Sequence, residues 1–213
     1  MNPKYRIEFF HDAVCGWCYI QSPILRKLAD EGLVEVHHRA FVLQRNDHEM
    51  KLRFGSLENA KKEILNHWQS CQRFEGTRRF NIEGMRAAPF NYPSGLLAAK
   101  GAKAAELLGG QDTHWDFFDL VQQEHLQRAN NIGAIDTLLG VASCLGFDTV
   151  EFEQTMHSDE VEAGLESDRK RAERFDIRSI PSMIVDDRYL VGKTTKYSDL
   201  VRLLARLRPS NHV

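Results

Sequence analysis

Two cysteines separated by two residues, Cys15-Gly16-Trp17-Cys18, are the part of this chain best suited to chemistry. Disulfide exchange needs a thiolate, because a protonated thiol is a poor nucleophile. It also needs a second thiol close enough to release the mixed disulfide. A Cys-x-x-Cys at a helix N-terminus meets both needs. The first sulfur faces free backbone N–H groups and the positive end of the helix dipole, and the second lies about one turn further on. Cys15 is therefore the expected attacking thiol, exposed, and Cys18 the resolving thiol. The same spacing also makes half of a zinc site. That reading requires more ligands at short spacing. Cys71 and Cys144 are isolated, and none of the nine histidines lies at knuckle-like distance beyond Cys18, so no metal is expected.

The pair is useful only if flanking elements hold it. Tyr5 to Phe10 alternates as a strand, with Ile7 and Phe9 on one face and Phe10 on the other. After the cysteines, Ile20, Ile24, Leu25 and Leu28 mark an amphipathic helix, with Pro23 expected to kink it and Gly32 to end it. Val34 to Val42 reads as a second strand, parallel to the first. A long helical stretch follows, beginning after Ser56 as N-cap and carrying Ala60, Ile64, Trp68 and Cys71. Arg73 to Pro93 reads as irregular. Later helices start at Ser94, stop at Gly109-Gly110, and resume through Trp115, Leu138 and Leu165. Ile177 to Val185 is extended, Asp186-Asp187 is a hairpin turn, and a last helix buries Leu200 and Leu204. The order βαβ, helices, ββα is α/β: one mixed sheet with an inserted all-helical subdomain. The division expected is 1–50 with 176–213, and 51–175 for the insertion.

With 213 residues, 42% hydrophobic and 27% charged, the chain can bury a core without cross-links. A net charge of −2 points away from nucleic acid and anionic membranes. The basic run at Arg169-Lys170-Arg171 is flanked by acids and reads as a solvated helix face. The first residues contain no stretch of signal-peptide character, and no segment has the length needed to span a bilayer. The expected location is the cytoplasm, where four cysteines are not a disulfide framework.

The stretch Phe9-Phe10-His11-Asp12-Ala13-Val14-Cys15-Gly16-Trp17-Cys18-Tyr19-Ile20 resembles the opening of DsbA-family thioredoxin-fold oxidoreductases, nearest the cytosolic FrnE-like group. Far downstream, Ile177-Arg178-Ser179-Ile180-Pro181-Ser182-Met183-Ile184-Val185 resembles the same family's cis-proline loop and following strand. Together the two motifs are more specific than either alone. The resemblance implies a thioredoxin-like sheet, a cis Pro181 packed beside Cys15, and an Ile180 backbone edge offered to a substrate. Gly16 departs from the group's usual proline. Trp17 stands where strong oxidants carry histidine, so weaker oxidising power is expected.

The resemblance also raises Glu8, since in this superfamily a buried acid near the second cysteine can relay its proton. The other reading of Glu8 is an outward-facing strand carboxylate. His11 and Asp12 either tune Cys15 or shape a turn. Asn91 either lines the groove over Cys15 or packs its loop onto the core. Cys71 and Cys144 read as buried, inert thiols. The function implied is thiol–disulfide exchange with a disulfide-containing protein or a small thiol, run by a monomer or homodimer. No cofactor is expected, with glutathione as the possible redox partner. The alternatives are a glutathione-dependent isomerase or kappa-class transferase, which usually carries serine at the first cysteine, and a non-catalytic DsbA-like adaptor.

Overall fold

In a computed structural model, which describes residues 4–207, nine helices and one π turn surround a four-stranded sheet among the described residues. The ends of the 1–50 and 176–213 assignment, residues 1–3 and 208–213, lie outside the described residues. The strands β1 (Tyr5–His11), β2 (Val34–Ala40), β3 (Ser182–Val185) and β4 (Tyr189–Val191) lie in the order β2-β1-β3-β4. β1 runs parallel to β2 and antiparallel to β3, and β3 is antiparallel to β4.

Strand parity divides the sheet into two unlike faces. Ile7, Phe9 and His11 share a face with Val36, His38, Met183 and Val185, their registered neighbours. That face carries α1 (Gly16–Asp30) and most of the helices between β2 and β3. One apolar cluster runs unbroken from Ile7 and Leu25 to Phe117, Leu138 and Met156, so sheet and inserted helices share a core. The opposite face carries Glu8, Phe10, Arg39 and Ile184. It is covered by α8 (Asp159–Arg174), whose Ala172 joins Phe10, Ile177 and Ile184 in a small second cluster. α8 packs both on β2 and on α5 (Leu96–Gln122) of the insertion.

β2 is an edge strand, and exposed edges invite pairing with other chains. Here side chains close it. Gln111 Oε1 accepts the His38 N–H at 2.6 Å, and Asp168 Oδ2 accepts the Ala40 N–H at 2.9 Å. Asp168 is fully buried and also pairs with Arg39 at 3.0 Å and Lys103 at 2.9 Å.

α1 runs as one helix with Pro23 inside it. Several other elements differ from the sequence-based expectation. β2 ends at Ala40, two residues early. α2 (Asp47–Phe54) buries only Met50, so it shows no apolar stripe. α3 (Leu57–Glu75) starts at the expected Ser56 cap. Within the irregular stretch, Asn81 caps the short α4 (Ile82–Ala87). α5 (Leu96–Gln122) is interrupted at Gly110, whose φ of 84° suits glycine, and passes into a π turn at Gln123–Gln127. α6 (Ile135–Cys144), α7 (Thr149–Met156) and α9 (Tyr197–Arg206) complete the chain. Cys144 is exposed in the last turn of α6, not buried as its neighbouring apolar stripe suggested.

Asp168→Ala removes a buried anion shared by Lys103, the half-buried Arg39 and the Ala40 N–H, leaving the two cations only Glu106 and Glu8. Loss of a buried pair's anion costs about 3–5 kcal/mol, and urea unfolding should show a loss of that order. A loss under about 1 kcal/mol, the level of a surface pair, would contradict this role.

Candidate active site

α1 begins at Gly16, and Cys15 is its N-cap in extended conformation, φ −89° and ψ 110°. The Cys15 Sγ accepts the Cys18 N–H at 3.4 Å, so the sulfur sits where orphan helix donors and the dipole favour negative charge. Cys18 is fully buried. Burial pushes the Cys18 thiol well up, and the neighbouring Cys15 and Asp12 add to this against the Asp12 backbone N–H. Both thiols are free. The Cys15 Sγ lies 3.9 Å from the Ile180 carbonyl oxygen, and the Ile180–Pro181 peptide bond is cis.

Cys15 is 7% exposed, a correction to the open attacking thiol expected. It lines a cavity of about 540 Å³ walled by Trp17, Trp68, Cys71, Tyr92 and Ile180, with Arg53, His67 and Arg178 among its cationic or titratable groups. Access to the sulfur runs through that cavity. Cys71 is buried as expected, but it stands on the cavity wall, and burial followed by Cys15 raises its thiol. A Cβ on Gly16 would come 3.0 Å from Phe80 Cε1 and 3.1 Å from Cys71 Sγ. Close packing of the first turn of α1 on α3 and Phe80 thus accounts for glycine at this position.

The loop before α1 is held from the insertion. Tyr92 donates its hydroxyl to the Val14 carbonyl at 2.8 Å and accepts from Trp68 Nε1 at 3.2 Å. Gln122 Nε2, fully buried, donates to the Cys15 carbonyl at 3.2 Å and the Ala13 carbonyl at 3.4 Å. On the other side Thr194 Oγ1 donates to the Trp17 carbonyl at 3.3 Å. Sequence reasoning missed Tyr92, Gln122 and Thr194. Tyr92 adjoins the expected Asn91 but carries no motif, and Gln122 and Thr194 are ordinary polar residues far along the chain.

The structure separates the candidate acids and bases. Glu8 lies on the far face of the sheet from α1. Burial raises its carboxyl, but Arg171 and Arg39 outweigh that and hold it low. Strand parity therefore puts it out of reach of Cys18. His11 turns into the core against His38 and His114 and does not flank the cysteine sulfur. Asn91 is exposed and lines a neighbouring surface cavity, so Tyr92 and Pro93 line the groove in its place. Asp12 alone stays with the cysteines. Its carbonyl accepts the Cys15 N–H at 3.0 Å, and its carboxylate accepts the Leu43 N–H at 2.9 Å and the Val14 N–H at 3.3 Å. A Cβ on Gly95 would fall 1.8 Å from Asp12 Oδ1, so only glycine admits the carboxylate. Burial pushes Asp12 up to about 6 against these backbone donors. A buried acid that exchanges a proton near neutrality, beside a high-pKa thiol, is suited to proton transfer.

Known proteins share this fold. A candidate protein disulfide isomerase from Nitrosomonas europaea superposes with a TM-score of 0.76 at 20% identity, over 95% of this chain and 96% of that one. The cytosolic disulfide reductase DsbM from Pseudomonas aeruginosa, also solved with GSH, superposes at 0.74 and 16% identity, over 95% and 100%. At these identities the likeness concerns the fold. The ClpXP adapter protein SpxH from Bacillus subtilis is 24% identical over 185 residues. That match takes in 85% of this chain, and the chain spans 59% of the adapter's length. The family model for the DSBA-like thioredoxin domain matches residues 6–201.

Folded Asp12 holds its proton to about pH 6, whereas the unfolded residue releases it near 3.8. Between these values the folded state binds more protons, so this group's contribution to stability is full below about pH 4 and falls as pH rises through 6. The change is on the order of 3 kcal/mol. The difference in unfolding free energy between the wild type and Asp12→Asn should therefore shift toward the variant by that amount from pH 4 to 7. A difference independent of pH would contradict the buried, uncompensated carboxyl.

Proposed function

The chain belongs to the family of DSBA-like thioredoxin domains, and from that premise we propose that it is a thiol–disulfide oxidoreductase acting through Cys15 and Cys18. The observation that carries the reading is Cys15 Sγ at the N-cap of α1, bonded by the Cys18 N–H and opening on a cavity bordered by Ile180. In the reducing direction the Cys15 thiolate attacks one sulfur of a substrate disulfide. The substrate S–S bond breaks, a mixed disulfide forms, and the first substrate sulfur leaves as a thiolate that takes up a proton. Cys18 then gives its proton to Asp12 and attacks the Cys15 sulfur. The second substrate thiolate leaves, and the Cys15–Cys18 disulfide remains. Two equivalents of a small thiol restore the dithiol, and reversal of every step gives oxidation.

Glutathione is the small thiol proposed, and a cytosolic setting the one proposed for it, which the DsbM likeness supports. Arg53 and Arg178 at the cavity suit the carboxylates of such a peptide. Substrate contact proceeds at the Ile180 backbone, just before β3. Trp17 brings no charge to the Cys15 thiolate, which favours reduction over strong oxidation. The likeness to an adapter supports a second reading, in which the chain recruits a partner protein and does not need its thiols.

Cys15→Ser should lower turnover of a small disulfide substrate at least about 100-fold, while Cys18→Ser should accumulate a mixed disulfide visible by mass spectrometry. Equal turnover in the wild type and Cys15→Ser refutes the enzyme. Partner capture unchanged in the double cysteine variant supports the adapter. Equilibration with glutathione buffers should place the Cys15–Cys18 potential below about −200 mV, and a value near −120 mV, that of strong oxidants, would remove the preference for reduction.

A further inference from the structure

A second constellation lies under the sheet, apart from the cysteines. His11 at the end of β1, His38 on β2 and His114 just after the Gly110 break in α5 are all buried at 3% exposure or less. Their ring centres form a nearly equilateral triangle with sides of 5.0, 5.1 and 5.3 Å. Each ring offers a nitrogen, and these three atoms lie within 4.8 Å of one another. Nδ1 of His38 and Nε2 of His11 are 3.0 Å apart.

A core built only for packing would not choose this. Three imidazoles bring six ring nitrogens out of water, and buried polar atoms without a partner are costly. Among the described residues, Nε2 of His38 and Nε2 of His114 have no hydrogen-bond partner. Phe118, 3.9 Å from His11 between ring centres, and Trp115, 4.7 Å from His38, make the surroundings largely apolar. Neighbouring polar groups sit to one side. Glu106 accepts from His114 Nδ1 at 2.8 Å, and Lys103 joins that carboxylate at 2.9 Å.

These are the attributes of a metal site. Imidazole nitrogens bind zinc at about 2.0–2.1 Å, which sets three tetrahedral ring centres about 5.2 Å apart and their ligand nitrogens about 3.3 Å apart. The observed triangle has the first spacing, and rotation of rings about their own side-chain bonds supplies the second. A carboxylate holding the far nitrogen of a ligand histidine, as Glu106 holds His114, fixes tautomer and orientation in such sites. Imidazole nitrogens suit zinc and its neighbours copper, nickel and iron, not the hard cations calcium and magnesium.

We propose that His11, His38 and His114 bind one zinc-class divalent cation, which ties β1 and β2 to the second half of α5 independently of the cysteine pair. Three neutral ligands leave room for a fourth, a water or hydroxide, and Glu106 offsets part of the charge.

The test uses the full chain carrying Cys15→Ser and Cys18→Ser, so that the Cys-x-x-Cys pair cannot hold metal. It is produced in medium supplemented with Co²⁺ or Zn²⁺ and passed over chelating resin. The expected result is roughly stoichiometric metal and a melting temperature raised by about 5 °C or more over chelator-treated protein. The Co²⁺ form should show visible d–d bands without a sulfur-to-cobalt charge-transfer band, and the metal should be lost in His38→Leu and His114→Leu. Three results overturn the proposal: metal-free protein with the histidines intact, metal retained by a folded His114→Leu variant, or a sulfur-containing first shell by X-ray absorption. If the histidine variants do not fold, metal content and X-ray absorption of the histidine-intact protein decide.

Discussion

One sulfur at one helix end sets the terms for the rest of this molecule. Cys15 caps α1 and borders the groove, so any shift of the first turn moves this sulfur. A cap held only by its own helix would fray, since the first four N–H groups lack intrahelical partners. Here the carbonyls of Ala13, Val14, Cys15 and Trp17 are each taken by a side chain from elsewhere. A typical hydrogen bond contributes roughly 1 kcal/mol net, but a buried carbonyl left unpaired costs more. Several such constraints acting on four of five consecutive residues leave the loop little alternative.

The two acids near this loop show how placement outweighs residue type. Glu8 is on the sheet and meets two arginines, so burial is outweighed and the carboxyl remains ionised. Asp12 lies four residues on, past the end of β1, and meets only backbone N–H groups. Without a cation the desolvation penalty prevails and the proton stays until about pH 6. The residue beside the thiols is therefore the one able to exchange a proton under working conditions. The nearby Gly95, with no Cβ to occupy the space, is what admits it.

The sheet's faces also divide the polar network. One buries the histidine triangle among aromatics, and the other carries ion pairs linking Glu8, Arg39, Asp168 and Arg171. Lys103 joins the two regions, reaching both Glu106 and Asp168 at 2.9 Å. The inserted helices thus supply loop-holding groups, the closing side chains for the β2 edge and one corner of the histidine cluster. Insertion and sheet share one core, and the cysteine loop depends on both.

Much of this was legible along the chain. Local periodicity revealed β1, α1, β2, α3, the β3–β4 hairpin and α9, because each has an apolar stripe or turn chemistry of its own. The Cys15–Cys18 spacing, the strand before it and the helix after it marked the site, and the resemblance of the two motifs pointed to Ile180 and Pro181. What the chain could not disclose were relations between distant segments. Strand register put Glu8 on the wrong face for Cys18, while Asp12, read from sequence as a turn former or a neighbour tuning Cys15, lies past β1 under the loop. α2 and α4 expose most of their surface, so they lack a stripe, and Cys144 ends its helix facing outward beside residues that face inward. Three histidines on β1, β2 and α5 have no spacing in common, and Gln122 reaches the Cys15 carbonyl only because α5 crosses beneath that loop. Sequence periodicity records which face of an element is apolar, but which faces meet is decided by packing of the whole chain.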